Sequence, residues 1–214
     1  MLLLIDKPIG LTSHDVVDYV RTVFQEKRVG HAGTLDPNAS GLLIVAVGRE
    51  DTKKLGHLTT GTTKTYIGEI TLGTKTTTDD SEGSVLEEKD VRSMSPSEIE
   101  TILNSFLGKQ SQIPPIYSAI KKDGKKAYDQ ARKGISVEME PRDIIIYSIT
   151  LLSFESPKLI IECEVSAGTY IRALARDIGE KLGTNAHLSA LRRTKIGDYT
   201  IKDAIALEDL RNEE

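Results

Sequence analysis

Residues 42–47, Leu-Leu-Ile-Val-Ala-Val, form an unbroken apolar run. A strand with one wet face alternates apolar and polar residues, whereas a run without alternation suits a central strand covered on both faces. The run follows a segment of the opposite character. Gly30–Gly41 reads as a long polar loop holding three glycines, one proline and a single carboxylate, Asp36. Pro37 biases Asp36 towards an extended backbone, and the glycines permit tight turns and close approach by another chain. Taken alone, the aspartate fits two readings: turn chemistry that bonds its own backbone, or a catalytic group on a rigid loop at a sheet end.

The rest of the chain frames that strand. Leu2–Ile5 reads as a buried strand. Thr12 or Ser13 caps a helix whose apolar residues Val16, Val17, Val20 and Phe24 fall at helical spacing. Thr65–Leu72 alternates, with Tyr66, Gly68, Ile70 and Leu72 on one face. Ser95-Pro96-Ser97-Glu98 is a capping box with proline at the first helical position. Ile99, Ile102, Leu103 and Phe106 continue that helix and Gly108 ends it. Ile144–Phe154 and Leu159–Val165 read as strands joined by a turn at 155–158, Tyr170 opens a helix through Leu182, and Ala186–Leu191 reads as a short helix. Hairpins beside isolated helices predict an α+β fold with a largely antiparallel or mixed sheet.

Composition narrows the function. With 38% hydrophobic and 28% charged residues, the 214-residue chain is a globule rather than a disordered or membrane protein. One cysteine, Cys163, excludes an internal disulfide, and four scattered histidines provide no cluster of metal-site spacing. A reducing, cytoplasmic setting is the expectation. The net charge of −4 hides an asymmetry: residues 108–142 carry eight bases against four acids, and residues 172–195 six against two. Two segments of net +4 permit an RNA-binding face, or are ordinary solvated surface.

Five segments in order carry a resemblance. GHAGTLDPNASGLLIVAVG (30–48) resembles the second motif of the TruB family of pseudouridine synthases, and DKPIGLTSHDVV (6–17) its first. KTYIGEITLGTKTTTDDSEG (64–83) resembles the block with its active-site tyrosine. IPPIYSAIKKDGKKAYDQARKG (113–134) resembles its RNA-gripping thumb, so that a thumb is expected at about 109–142. SAGTYIRALARDIGEKLGTNAHLSALRRTKIGDY (166–199) resembles its last catalytic block.

The resemblance implies a pseudouridine synthase fold and isomerisation of uridine 55 in the tRNA T-loop, with the base flipped out of its stack. It implies Asp36 as nucleophile, Arg172 as the arginine that pairs with it, and Tyr66 as the ring that stacks on the target and moves the C5 proton. Tyr170 becomes a second pocket aromatic, His31 a filler of the gap in the RNA stack, and Lys7 a contact near the loop and the phosphate backbone. For RNA grip the candidates are Lys121, Lys122, Lys125, Lys126 and Arg132, interleaved with Tyr117 and Tyr128. The reaction needs no cofactor and no metal. The tRNA T-arm is the expected partner, with no membrane, no required protein partner, and a monomer by default. Family members usually continue into a small RNA-binding PUA module, and the chain is expected to be one catalytic domain, 1–214, without it. Two alternatives stand beside this: a guide-RNA-dependent relative, and a non-catalytic tRNA-folding factor on the same scaffold.

Overall fold

The computed structural model describes residues 1–118, 120–122, 124–131, 133 and 137–211; for Lys121, Lys122, Lys125, Lys126 and Arg211 the description covers the backbone alone. The chain runs β1 (Leu2–Lys7), α1 (Ser13–Phe24), β2 (Val29–Ala32), β3 (Ala39–Val47), α2 (Arg49–Thr52), α3 (Leu55–Thr60) and β4 (Lys64–Leu72). It continues through β5 (Thr74–Thr76), β6 (Val85–Glu88), α4 (Pro96–Asn104), β7 (Gly108–Gln112), β8 (Lys121–Lys122), β9 (Lys125–Lys126) and α5 (Ala127–Ala131). Then come β10 (Arg142–Glu155), β11 (Lys158–Val165), α6 (Ile171–Lys181), β12 (Ala186–Ile196), β13 (Tyr199–Thr200) and β14 (Ile205–Ala206). The fold is α+β with mixed sheet pairing, as expected.

Two compact units divide the chain. The first comprises Met1–Ile67, Glu164–Ala167 and the stretch from Ala190 on; the second comprises Gly68–Cys163 and Gly168–Ser189. In the first unit the strand order is β14-β1-β3-β12, with β2 added to β3 and β13 to β12. β1 and β2 lie antiparallel to β3, while β14 on β1 and β12 on β3 are parallel.

The apolar run is the centre of this unit. Leu43 and Val45 pack with Leu3, Ile5 and the α1 residues Val16, Val17 and Val20. Leu42 and Ile44, pointing the other way, pack with Ala32, Leu58 and Ile196. Alternate residues of one strand thus feed two cores, which is why the run carries no polar position. Each such side chain, fully buried, contributes roughly 1.5–3 kcal/mol. α1 begins where its sequence says: Thr12 Oγ1 accepts from the Asp15 backbone N–H at 3.0 Å and Asp15 accepts from the Thr12 N–H at 2.7 Å.

In the second unit β7 pairs antiparallel with β10, and α4 packs on β10 and α6. Ile70, Ile99, Leu103, Ile144, Ile146, Leu159, Ile161 and Ile178 are buried there. The Ser95–Glu98 capping box forms as read, and Glu98, bonded to the Ser95 backbone and to Arg92 and Ser95 side chains, is held down at about 2. Within 109–142 a two-stranded β8–β9 hairpin leads into α5, and Ala127, Val137 and Met139 form a small core of their own with Ile120 against it.

Three expectations need correction. Gly30–Gly41 is not one loop: Val29–Ala32 pairs with Ile44–Val47 as β2, and only residues 33–38 remain between strands. Glycine and histidine at 30 and 31 disguise a strand whose pairing comes from β3. Ala186–Leu191 is a strand, not a helix. Its alanines and leucines favour helix, yet Ala186 and Leu188 are buried while His187 and Ser189 are less so, and pairing overrides propensity. The α4 helix stops at Asn104, before Gly108, which instead opens β7 at a φ of 84°.

Gly41 marks the tightest backbone approach in the first unit. Its φ is 104°, and a Cβ there would sit 2.3 Å from the carbonyl oxygen of Arg193 on β12. Gly10, at φ 95°, has open space around it. Gly41→Ala is therefore expected to lose at least about 2 kcal/mol, because β3 and β12 must part. Gly10→Ala is expected to lose about 1 kcal/mol, from the backbone alone. Urea unfolding of the two variants checks the order; equal losses would contradict the contact.

Candidate active site

The loop 33–38 is built from its neighbours inward. Ser13, the first residue of α1, clamps Leu35 twice: its Oγ accepts from the Leu35 N–H at 2.9 Å and donates to the Leu35 carbonyl at 3.1 Å. Leu35 itself is buried, so the chain is pinned one residue before Asp36. On the other side the Ala39 N–H donates to the Asp36 carbonyl at 3.0 Å, closing a turn, and the Gly10 N–H donates to the Pro37 carbonyl at 2.8 Å. Asp36 is half-buried and is the one ionisable residue in the loop.

Cations lie beneath it. Lys7 is fully buried, and its Nζ donates to the carbonyls of Pro8 (2.8 Å), Leu11 (2.7 Å) and Pro37 (3.5 Å). It therefore braces the loop from inside rather than standing on the surface. Burial lowers its pKa, opposed by the charge of Asp36 and assisted by that of Arg193. Arg193 is also buried, with Nε donating to the Leu42 carbonyl and Nη2 to the Gly33 carbonyl, each at 2.8 Å. Lys64, another buried cation of this unit, is bonded not to the loop but to the carbonyls of Thr59 and Thr62, and burial with the nearby Arg193 lowers it to about 8.

His31 stands on β2, half-buried, and its Nδ1 has no hydrogen-bond partner among the described residues. Burial, then Arg193 and His14, lower its pKa, so the ring is neutral at pH 7 and suited to stacking. Tyr66 lies on β4 in the same unit, partly exposed.

The second unit holds Tyr170 and Arg172. Tyr170 is the N-cap residue of α6, and Gln112 grips its backbone: Gln112 Oε1 accepts from the Tyr170 N–H (2.9 Å) while Nε2 donates to its carbonyl (3.1 Å). Arg172, buried, donates to the carbonyls of Thr78 (3.1 Å) and Tyr117 (3.0 Å) and lies 3.4 Å from Asp80. Asp80 accepts from Thr78 Oγ1 at 2.5 Å and from the Glu82 N–H at 3.0 Å. One turn on, Arg176 pairs with Asp79 at 2.8 Å; burial raises the pKa of Asp79 and Arg176 opposes it. The Thr76–Asp80 turn and α6 thus orient each other through two arginine–aspartate pairs.

Arg132 lies outside the described residues, and of Lys121, Lys122, Lys125 and Lys126 only the hairpin backbone is described. Sequence reasoning missed Arg193, Asp80 and Gln112. Arg193 sits in a motif already noted, Leu191-Arg192-Arg193-Thr194, but nothing in a linear reading says that one of two adjacent arginines is buried. Cys163 is buried, with its pKa pushed up to about 12, and takes no part as a nucleophile. Among the described residues no group of His, Cys, Asp and Glu is placed to hold a metal ion, and no helix is long and apolar enough to cross a membrane.

The architecture places the chain among pseudouridine synthases. A crystallised Cbf5-Nop10-Gar1 complex contains a chain of similar structure, with a TM-score of 0.75 and 29% identity over 99% of this chain and 53% of that one. Residues 21–171 match the family described as TruB family pseudouridylate synthase (N terminal domain), and residues 172–214 match the tRNA pseudouridylate synthase B C-terminal domain. The chain is 46% identical to tRNA pseudouridine synthase B of Geobacter sulfurreducens, over 98% of this chain and 68% of that protein. It is 45% identical to the Desulfotalea psychrophila protein of the same name, over 100% and 88%. The chain belongs to the TruB family of pseudouridylate synthases.

Lys64 carries a pH signature that can be checked. Its folded pKa, about 8, lies below the ordinary 10.5, so the unfolded chain binds more protons between those values. The penalty of burying the ammonium is full below pH 8 and is relieved as pH rises towards 10.5. Stability of the wild type relative to Lys64→Met is expected to be flat from pH 6 to 7.5 and to rise from about 8 to 10.5. Paired urea melts across that range check it; a falling difference would contradict the burial.

Proposed function

We propose that this chain isomerises uridine to pseudouridine in the T-loop of tRNA, with Asp36 as nucleophile. The reaction breaks the bond from C1′ to N1 of uracil and forms one from C1′ to C5; the C5 proton is released and N1 takes up a proton in its place. Nothing is lost overall, so it needs neither oxidant nor energy source. Asp36 takes C1′ or assists departure of the base, Tyr66 stacks on the ring and serves the C5 proton, and Arg172 pairs with the carboxylate. His31 and Tyr170 hold the RNA around the extruded uridine. Lys121, Lys122, Lys125, Lys126 and Arg132 grip phosphates.

The observation that carries this reading is the loop. Its backbone is committed on both sides of Asp36 to Ser13, Gly10, Lys7 and Arg193, so the carboxylate is presented from a rigid support. A turn aspartate with only a local role requires no such bracing. Identity of about 45% to proteins named tRNA pseudouridine synthase B, against 29% to the Cbf5 chain, favours stand-alone action on tRNA over guided action.

The test is release of tritium from unmodified tRNA labelled at uracil C5, without cofactor or metal. The wild type is expected to release it from the T-loop uridine. Asp36→Asn is expected to lose more than about a thousandfold in rate while keeping tRNA affinity within a few-fold. Turnover by the variant would remove Asp36 from its role; tight binding without release by the wild type would favour the folding factor.

A further inference from the structure

We propose that Arg193 is a positioning residue for the reaction: its buried guanidinium, bonded to Gly33 and Leu42, sets where Asp36 stands. The inference rests on the assignment of Asp36 above.

The two carbonyls it holds flank the loop. Gly33 is the first loop residue after β2, and Leu42 is the fourth residue of β3, so a single rigid fork ties the start of the segment that carries Asp36 to the strand that follows it. Nε and Nη2 are fixed in one plane, so the two bonds also fix how far the start of the loop stands from β3.

Two glycines of the motif make room for it. A Cβ on Gly33, where φ is 70°, would stand 3.1 Å from Nη1 of Arg193. A Cβ on Gly41 would strike the Arg193 backbone, with its carbonyl oxygen 2.3 Å and its nitrogen 2.8 Å away. One glycine admits the side chain beneath the loop and the other admits the main chain beside β3. Gly33 and Gly41, read from sequence as residues that permit tight turns and close approach by another chain, thus give clearance for one arginine.

A purely structural role explains this residue poorly. Among the described residues no carboxylate is ion-paired with Arg193, and a fully buried guanidinium satisfied by carbonyls alone is a costly way to fill a core. Its charge is felt at Lys7, His31 and Lys64, each lowered in part by it. The cation therefore lies in the middle of the site's own unit, beneath the carboxylate's loop.

The experiment compares Arg193→Lys, Gly33→Ala and, as a control, Lys64→Met. Lys64 is another buried cation of the same unit, bonded to Thr59 and Thr62 rather than to the loop. Single-turnover rate on tRNA, tRNA dissociation constant and melting temperature are measured for each. Arg193→Lys keeps the charge but cannot reproduce the fork, and a displacement of about 1 Å at the reacting group costs on the order of a hundredfold. The expected result is a rate lowered about a hundredfold in Arg193→Lys and Gly33→Ala, with affinity within about threefold. Lys64→Met is expected to melt lower yet react at the wild-type rate. A folded Arg193→Lys within threefold of the wild-type rate overturns the proposal, as does a rate loss matched by Lys64→Met at equal loss of melting temperature. If Arg193→Lys does not fold, Gly33→Ala decides by the same criteria. An inactive wild type would refute the assignment of Asp36 chemistry instead, and is distinguished by that.

Discussion

The parallel contact between β3 and β12 is the constraint on which the first unit depends. Leu191, Arg192 and Arg193 register with Ala39, Ser40 and Gly41, and the absence of a side chain at Gly41 lets the two backbones close. That closure delivers the Arg193 side chain under the loop and leaves Arg192 pointing elsewhere, to Asp6 at 2.6 Å and 3.1 Å. Adjacent arginines thus have opposite fates because a strand sends successive side chains to opposite faces. The N-terminal strand, the loop of Asp36 and the last long strand are joined at this point, although the last lies more than a hundred residues beyond the other two.

The loop shows how a flexible composition becomes a rigid support. Glycine, proline and asparagine permit many conformations, and the unfolded segment loses a large entropy on ordering. What offsets that loss is a set of bonds to groups that are themselves immobile: a helix N-terminal serine, a buried lysine, a buried arginine. Buried cations bonded to carbonyls cost desolvation, and the lowered pKa values of Lys7 and Lys64 express that cost. Lys7 and Arg193 also place fixed positive charge at the loop of Asp36, in a region shielded from water, where such charge acts strongly.

Much of this was legible in the sequence, for physical reasons that can be named. The run Leu42–Val47 announced a strand with two cores because no polar residue interrupts it, and the Ser95–Glu98 capping box announced its helix because a hydroxyl and a carboxylate at that spacing satisfy each other's N–H groups. Ala186–Leu191 was misread because its helix propensity is real but weaker than pairing with neighbours that no local window contains. The motifs located Asp36 and Arg172 through resemblance. The bonds that hold them did not show: Gln112 to Tyr170, Asp80 to Arg172 and Arg193 to Gly33 are long-range pairings.

The central claim is that a braced loop presents Asp36 to an extruded uridine. The most direct measurement is a crystal structure of Asp36→Asn bound to a T-arm hairpin. The account predicts the target uridine out of its stack, with its C1′ and uracil ring in contact with the side chain of residue 36 and with Tyr66 against the ring. A hairpin bound with that uridine still stacked, or extruded at a site away from residue 36, would contradict it.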